Sequence, residues 1–263
     1  MADAMIVIAK HKALLEKIGL TTLAQIKAFH GELVKDHHGR RDIFRIAAQG
    51  DVGRQIVLFL KRNWRPYKKD GFKSLLRHGK VWSIARQEWE NSLALENAGF
   101  RVASLAAYGE DCGPFWERFS FIITEAAFGQ TVEEFFRECK DPALRRRAFD
   151  ALAHEIRRMH SAGLATPDLF TRHIFVSSVD STPQFCLIDM ARLDRGASLS
   201  DSRRARDLAA LNVTASLKSV STRERLRFLK VYSGGTDHEL ERLINSRMES
   251  LLEHRRFQRA WRE

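Results

Sequence analysis

Apolar and polar positions along the chain follow two periods, and the change between them divides it. A helical start is predicted around residues 10 to 35. After it, Phe44 to Ala48, a Gly50-Asp51-Val52-Gly53 turn and Arg54 to Lys61 read as a β-hairpin. In its second strand Val57, Phe59 and Lys61 share one face and Ile56, Leu58 and Leu60 the other, because side chains alternate with period two. Lys61 therefore ends an apolar face. From Val81 to Asn97 the period becomes helical: Trp82, Ala85, Trp89, Leu93 and Ala94 recur on one stripe, Glu88 sits beside it, and Gly99 suits the left-handed residue that closes a helix.

Strands are predicted at Arg101 to Ala107 and Arg118 to Thr124, separated by a turn region at Gly109 and Gly113. The remainder reads as helical, with Phe149, Leu152, Ala153, Ile156 and Met159 on one face before Gly163. Two short strands, Ile174 to Val176 and Phe185 to Ile188, interrupt it. The pattern predicts an α+β fold in two lobes: residues 1–124 form an antiparallel sheet with one helix, and residues 125–263 are mostly helical.

Composition adds limits. With 263 residues, 44% of them hydrophobic, the chain can bury a core in each lobe, and it has no repeats and no Pro/Gly/Ser-rich linker. The apolar run within the first dozen residues is too short for a signal peptide or a membrane span. Cys112, Cys139 and Cys186 lie far apart without CxxC spacing, so a reducing cytoplasmic setting is expected, with neither a disulfide framework nor a zinc site. The net charge of +11 favours a polyanionic partner: nucleic acid, an anionic membrane surface or a phosphorylated glycolipid. Basic residues are densest from Lys61 to Lys80, where Trp64, Tyr67 and Phe72 are interleaved; this stretch reads either as a solvated face or as a docking surface. A basic nucleic-acid-binding domain is a further alternative, but no nucleic-acid module signature is present, and no nucleic acid is expected as partner.

Four residues then fall in an order that phosphoryl transfer explains: Lys61 at a strand end, Glu88 in the next helix, Asp168 in a loop and Asp189 after an apolar strand. Such transfer needs the triphosphate held, its charge neutralised, and the acceptor hydroxyl aimed in line. Lysine supplies a phosphate cation, and a helix glutamate would orient it. Asp168 would take or orient the acceptor proton, and Asp189 in Leu187-Ile188-Asp189-Met190 would bind Mg²⁺. Taken singly, each has an ordinary reading as a solvated charge or a turn residue. The run Met159 to Gly163, Pro167-Asp168-Leu169 and His173 to Val176 has the helix, loop and strand order of a kinase catalytic core.

At these residues the chain resembles the lipopolysaccharide kinase (Kdo/WaaP) family of the protein-kinase-like superfamily. The similar stretches are Phe59-Leu60-Lys61, Tyr67 to Leu76, Ala85 to Trp89 and on to Gly99, Ile156 to Gly163, Asp168-Leu169 to His173-Ile174-Phe175, Leu187-Ile188-Asp189 with Arg192, and Arg206 to Leu211. The resemblance implies ATP and Mg²⁺ as cofactors. It implies Asp168 as catalytic residue, Lys61, Glu88, Gly50, Gly53 and Glu125 around ATP, and Asp189 with His173 at the metal, where His173 replaces the usual asparagine. The acceptor it implies is an inner-core sugar hydroxyl of lipopolysaccharide, phosphorylated at the cytoplasmic membrane face. The chain departs from the pattern at Thr166 and Pro167, where the family has histidine and arginine, at Met190-Ala191, and in a glycine loop reduced to Gly50 and Gly53. These departures motivate one alternative, a pseudokinase-like binding module; a protein Ser/Thr/Tyr kinase is another alternative. His160 and Asp207 read as packing and loop-tethering residues outside the chemistry.

Overall fold

A computed structural model of the chain describes residues 4–50, 55–64, 66, 74–76, 79–178 and 181–262. Backbone contacts divide it into two units, Met1–Ala94 with Ala103–Ala126, and Leu95–Val102 with Ala127–Glu263. The segment Leu95–Val102, which the sequence pattern places in the first lobe, therefore groups with the second unit.

The first unit is built on a six-stranded antiparallel sheet. Its strands are β1 (Ala4–Val7), β2 (Glu32–Asp36), β3 (Arg41–Gln49), β4 (Gln55–Trp64), β6 (Leu105–Cys112) and β7 (Glu117–Glu125), in the order β1-β6-β7-β4-β3-β2. Strand alternation assigns its two faces. Leu58, Leu60, Phe121 and Ile123 pack with Leu15 of the short helix α1 (Lys12–Lys17), Ile26 of α2 (Leu23–Ala28) and Leu20 of the turn between them. On the opposite face Ile122, Leu105 and Tyr108 pack with Ala85 and Trp89 of α3 (Ile84–Asn97). Fully burying a side chain such as Leu60 stabilises the fold by about 1.5–3 kcal/mol, so these two layers fix the sheet between its helices.

The predicted helix over residues 10 to 35 is broken. Gly19 adopts φ +70°, a capping box at Thr22 and Gln25 starts a second helix, and Glu32–Asp36 is an edge strand. That strand is exposed at every position, so it carries no buried face for a period to reveal. The predicted strand Arg101 to Ala107 also splits. Its first part, β5 (Arg101–Val102), pairs in parallel with β11 (Gln184–Leu187) of the second unit.

The second unit is mostly helical. Its longest helix is α5 (Pro142–Ser161), capped by Asp141 with Pro142 at the first turn, and it buries Phe149, Leu152, Ile156 and Met159 along one face. It follows α4 (Val132–Glu138). At its end Gly163 takes φ +75°, and a Cβ there would lie 1.7 Å from the Gly196 carbonyl oxygen, so no other residue fits. This close approach belongs to the two-stranded pairing of β9 (Leu164–Ala165) with β12 (Asp194–Arg195), which aligns the loop after Leu164 with the segment after Asp189. A small sheet orders β5, β11, β10 (Ile174–Ser177) and β8 (Gln130–Thr131). Helices α6 (Asp201–Thr214), α7 (Thr222–Ser233), α8 (His238–Leu252) and α9 (Arg255–Arg262) complete the unit, with α6 supplying the buried Leu208, Ala209, Ala210 and Val213.

Candidate functional site

In the first unit Lys61 stands opposite Ile122 in the β4–β7 ladder, on the face that α3 covers. Its ammonium donates to Glu88 Oε1 at 2.7 Å, and the two side chains are only 12% and 5% exposed. A pair so poorly hydrated is held by charge-assisted hydrogen bonding, not by weak surface attraction. The helix that carries Glu88 is itself tied to the sheet. Ile84 N–H donates to Glu117 at 2.8 Å, and the Ser83 hydroxyl, which accepts from Arg86 N–H, donates to Glu110 at 2.7 Å. Two sheet carboxylates thus satisfy the helix N-terminus, where the positive end of the helix dipole favours negative charge. Arg62 faces away from Lys61. It is 4% exposed, pairs with Asp42, and donates to the carbonyls of Ile26, Lys27 and Phe29, the end of α2.

The other proposed nucleotide residues are less informative. Gly50 follows β3, and Gly53 lies outside the described residues, as does much of the basic stretch to Lys80. Glu125 turns its carboxylate to His11 Nε2 at 3.0 Å and Lys10 at 3.4 Å, while its backbone N–H donates to the Ser104 carbonyl at 2.8 Å. Its side chain is therefore engaged within the sheet layer. Burial holds the His11 imidazole below its ordinary pKa despite the carboxylate beside it.

The second unit brings Asp168, His173, Asp189 and Arg192 together. The Asp168 carboxylate accepts from Arg192 Nε at 2.6 Å and from Arg192 Nη2, a two-pronged grip. That hydrogen bond raises the Arg192 pKa, although burial acts against it. The Asp168 backbone participates as well: its carbonyl accepts from His173 Nδ1 at 3.0 Å, and its N–H donates to the Thr166 hydroxyl at 3.2 Å. Donation from Nδ1 to a carbonyl fixes the tautomer, which leaves Nε2 as the acceptor, 3.4 Å from Arg172 Nε and 3.8 Å from Asp189 Oδ2. Burial lowers the His173 pKa, against the pull of Asp189. Asp189 itself has φ +59°, a left-handed backbone unusual for a residue with a Cβ and characteristic of sites whose surroundings impose strain.

Beneath this loop lies Asp207, fully buried in α6. It accepts from Thr166 N–H at 2.5 Å and from Arg206 at 2.9 and 2.7 Å, and it lies 3.3 Å from His160 Nε2. His160 Nδ1 in turn meets the Tyr232 hydroxyl at 2.7 Å. Asp207 and His160 therefore tether and pack the loop, as their sequence positions suggested. Thr166 is fully buried and links the two acids, its N–H donating to Asp207 and its hydroxyl accepting from the Asp168 N–H.

The donor set can be weighed against Mg²⁺. Among the described residues no three His, Cys, Asp or Glu side chains gather as a metal cage. A magnesium ion carried with a nucleotide needs only one or two carboxylates besides the phosphates, and the strained Asp189 fits that requirement. His173 is the softer and poorer ligand of the two.

The model of the lipopolysaccharide kinase (Kdo/WaaP) family matches residues 24–232. The chain belongs to this family. Among curated relatives of this Kdo/WaaP member, the lipopolysaccharide core heptose(I) kinase WaaP of Pseudomonas aeruginosa is 32% identical over 56% of the chain. The chain spans 59% of that relative's length. WaaP of Escherichia coli strain K12 is 24% identical over 82% of the chain and 83% of its own length. A solved structure, WaaP in complex with acyl carrier protein, shares the fold with a TM-score of 0.67 over 98% of this chain and 99% of that chain, at 24% identity. The two-lobed kinase-like α+β fold is thereby established.

Several residues of this family member were not legible as participants in the sequence. Arg192 appeared only as part of a similar stretch, 24 positions from the carboxylate it grips. Glu110 and Glu117, which hold the start of α3, gave no pattern at all, and Arg62, read with the basic stretch as solvated or docking, is instead buried. Their only signal is charge at strand positions where apolar residues dominate.

Proposed function

We propose that this Kdo/WaaP family member transfers the γ-phosphate of ATP to a sugar hydroxyl of the lipopolysaccharide core, the acceptor class named by its curated relatives. The observation that carries the reading is the Lys61–Glu88 pair, an ammonium fixed at 2.7 Å by a buried carboxylate on a helix whose own start is tied to the sheet. A lysine so oriented keeps its charge and presents a cation to phosphate oxygens.

Asp168 has the catalytic role in this reading. Its carboxylate accepts the proton of the acceptor hydroxyl, while Arg192 and the Thr166 hydroxyl fix its position and the His173 ring supports the loop through the Asp168 carbonyl. Bound with the nucleotide at Asp189, Mg²⁺ supplies neutralisation of phosphate charge. Asp207 holds the loop from below through the Thr166 N–H and contacts no substrate. The Thr166 bonds support turnover over a degenerate binding module, because they supply the loop tethering that the missing histidine would give.

Among the described residues no helix is long and apolar enough to cross a membrane. The net charge of +11 supports peripheral attachment to an anionic cytoplasmic membrane face. The purified chain, incubated with γ-labelled ATP, Mg²⁺ and dephosphorylated core glycolipid, is expected to place label on the glycolipid. Label found only on protein, or none transferred at all, overturns the assignment.

A further inference from the structure

Next to the Asp168 loop, the second unit holds a cavity of about 230 Å³ whose lining includes Pro167, Phe170, Phe257 and four arginines, Arg192, Arg206, Arg247 and Arg256. Among the described residues no acidic side chain lines it. Two of the guanidiniums are offset by carboxylates outside the cavity, Arg192 by Asp168 and Arg206 by Asp194 and Asp207. The other two are not. Arg247 donates to the neutral Ser202 hydroxyl at 3.0 Å, and Arg256 stands over the Phe257 ring at 4.5 Å; among the described residues neither has a carboxylate within ion-pair reach.

Converging like charges repel each other, and an anion bound among them would relieve that repulsion. Phe257 is 4% exposed and packs on Phe170 with ring centres 5.8 Å apart, so α9 cannot swing Arg256 away without opening a core cluster. Forked, planar guanidiniums facing one cavity match the oxygens of a phosphate or a carboxylate. Pro167 immediately precedes Asp168, and Arg192 touches both the cavity and the Asp168 carboxylate, whereas Asp189 and His173 do not line it. The cavity therefore adjoins the acceptor side of the loop and not the proposed metal side.

We propose that this arginine pocket binds an oxyanion of the acceptor, a phosphate monoester or a carboxylate, at a position removed from the hydroxyl that receives the new phosphate. The proposal rests on the sugar-kinase reading for its substrate and names that substrate as an acceptor already anionic. Arg192 then acts at two places, steadying Asp168 and closing the pocket, so recognition of the anion also orients the hydroxyl.

The test uses the double variant Arg247→Gln/Arg256→Gln, two exposed residues whose replacement leaves the core contacts of α8 and α9 in place. With full-length protein and core glycolipid the acceptor KM is expected to rise roughly tenfold or more, since charge-assisted hydrogen bonds are lost, while the KM for ATP stays at the wild-type value. Two altered acceptors separate the sources: one lacks its phosphate monoesters and the other has its carboxylates reduced to alcohols. The change that raises the wild-type KM identifies the bound group, and that change should have no further effect on the double variant. If both acceptors and the variant behave as the unmodified pair does, the pocket assignment is wrong. Direct titration with mannose 6-phosphate and with mannose separates this outcome from failure of the kinase reading. Arginine-dependent binding of the phosphate sugar alone supports the pocket even where no transfer occurs; equal binding of both sugars, or of neither, overturns it.

Discussion

Arg192 holds the Asp168 carboxylate with both Nε and Nη2, although its own side chain is 63% exposed and the carboxylate only 17%. A guanidinium at the surface thus reaches inward to set the orientation of the proposed base. Arg192→Lys keeps the charge but loses the fork. Because a mispositioned base forfeits orientation and not binding, kcat is expected to fall by about tenfold to a hundredfold while the KM for ATP changes little. Steady-state kinetics with ATP and core glycolipid measure both quantities; a variant with unchanged kcat contradicts the positioning role.

The Lys61–Glu88 pair gives a prediction for the first unit. Removing one member leaves the other charged and poorly hydrated, so Glu88→Ala should destabilise by about 3 kcal/mol, less if Lys61 swings out to water. Lys61→Met removes the cation but fills the space, and should cost less stability while weakening ATP binding more. Urea unfolding and nucleotide titration on the two variants should rank them in opposite orders.

Asp207 carries a larger structural burden than its distance from the chemistry suggests. Asp207→Ala strips the acceptor from Thr166 N–H and leaves Arg206 with Asp194 alone, with an expected loss of about 3–5 kcal/mol. Asp207→Asn keeps an acceptor oxygen for Thr166 and should lose less. Thermal unfolding of both variants checks the order, and equal melting temperatures would exclude the tether.

A pH dependence follows from His11. Its folded pKa is lowered from the ordinary 6.5 by burial, so the unfolded chain binds the proton more readily than the folded one. The stability at stake is fully present above pH 6.5 and declines as pH falls from there toward the folded pKa. His11→Gln should flatten that part of the decline. Denaturant unfolding between about pH 7.5 and 5 would show it, and identical slopes for the two proteins would contradict it.

What the sequence disclosed, and what it withheld, follows from the range of the interactions. The alternation that put Lys61 on the face opposite Leu58 and Leu60 is a local consequence of strand geometry, and the structure repeats it residue by residue. Helical spacing likewise placed Glu88 beside the Trp89 stripe, because adjacent turns share a face. Local period says nothing where no face is buried, which is why Glu32–Asp36 escaped notice, or where a chain segment changes sheets, as Arg101–Val102 does. Pairs closed across long separations, such as Arg192 with Asp168 or Ile84 with Glu117, depend on tertiary placement that no period encodes.

The most direct measurement of the central claim is single-turnover transfer from γ-labelled ATP to dephosphorylated core glycolipid by Asp168→Asn protein. The account predicts a loss of about a hundredfold to ten-thousandfold in the transfer rate, with Mg²⁺-dependent ATP binding kept near the wild-type level. Transfer at the wild-type rate would contradict it.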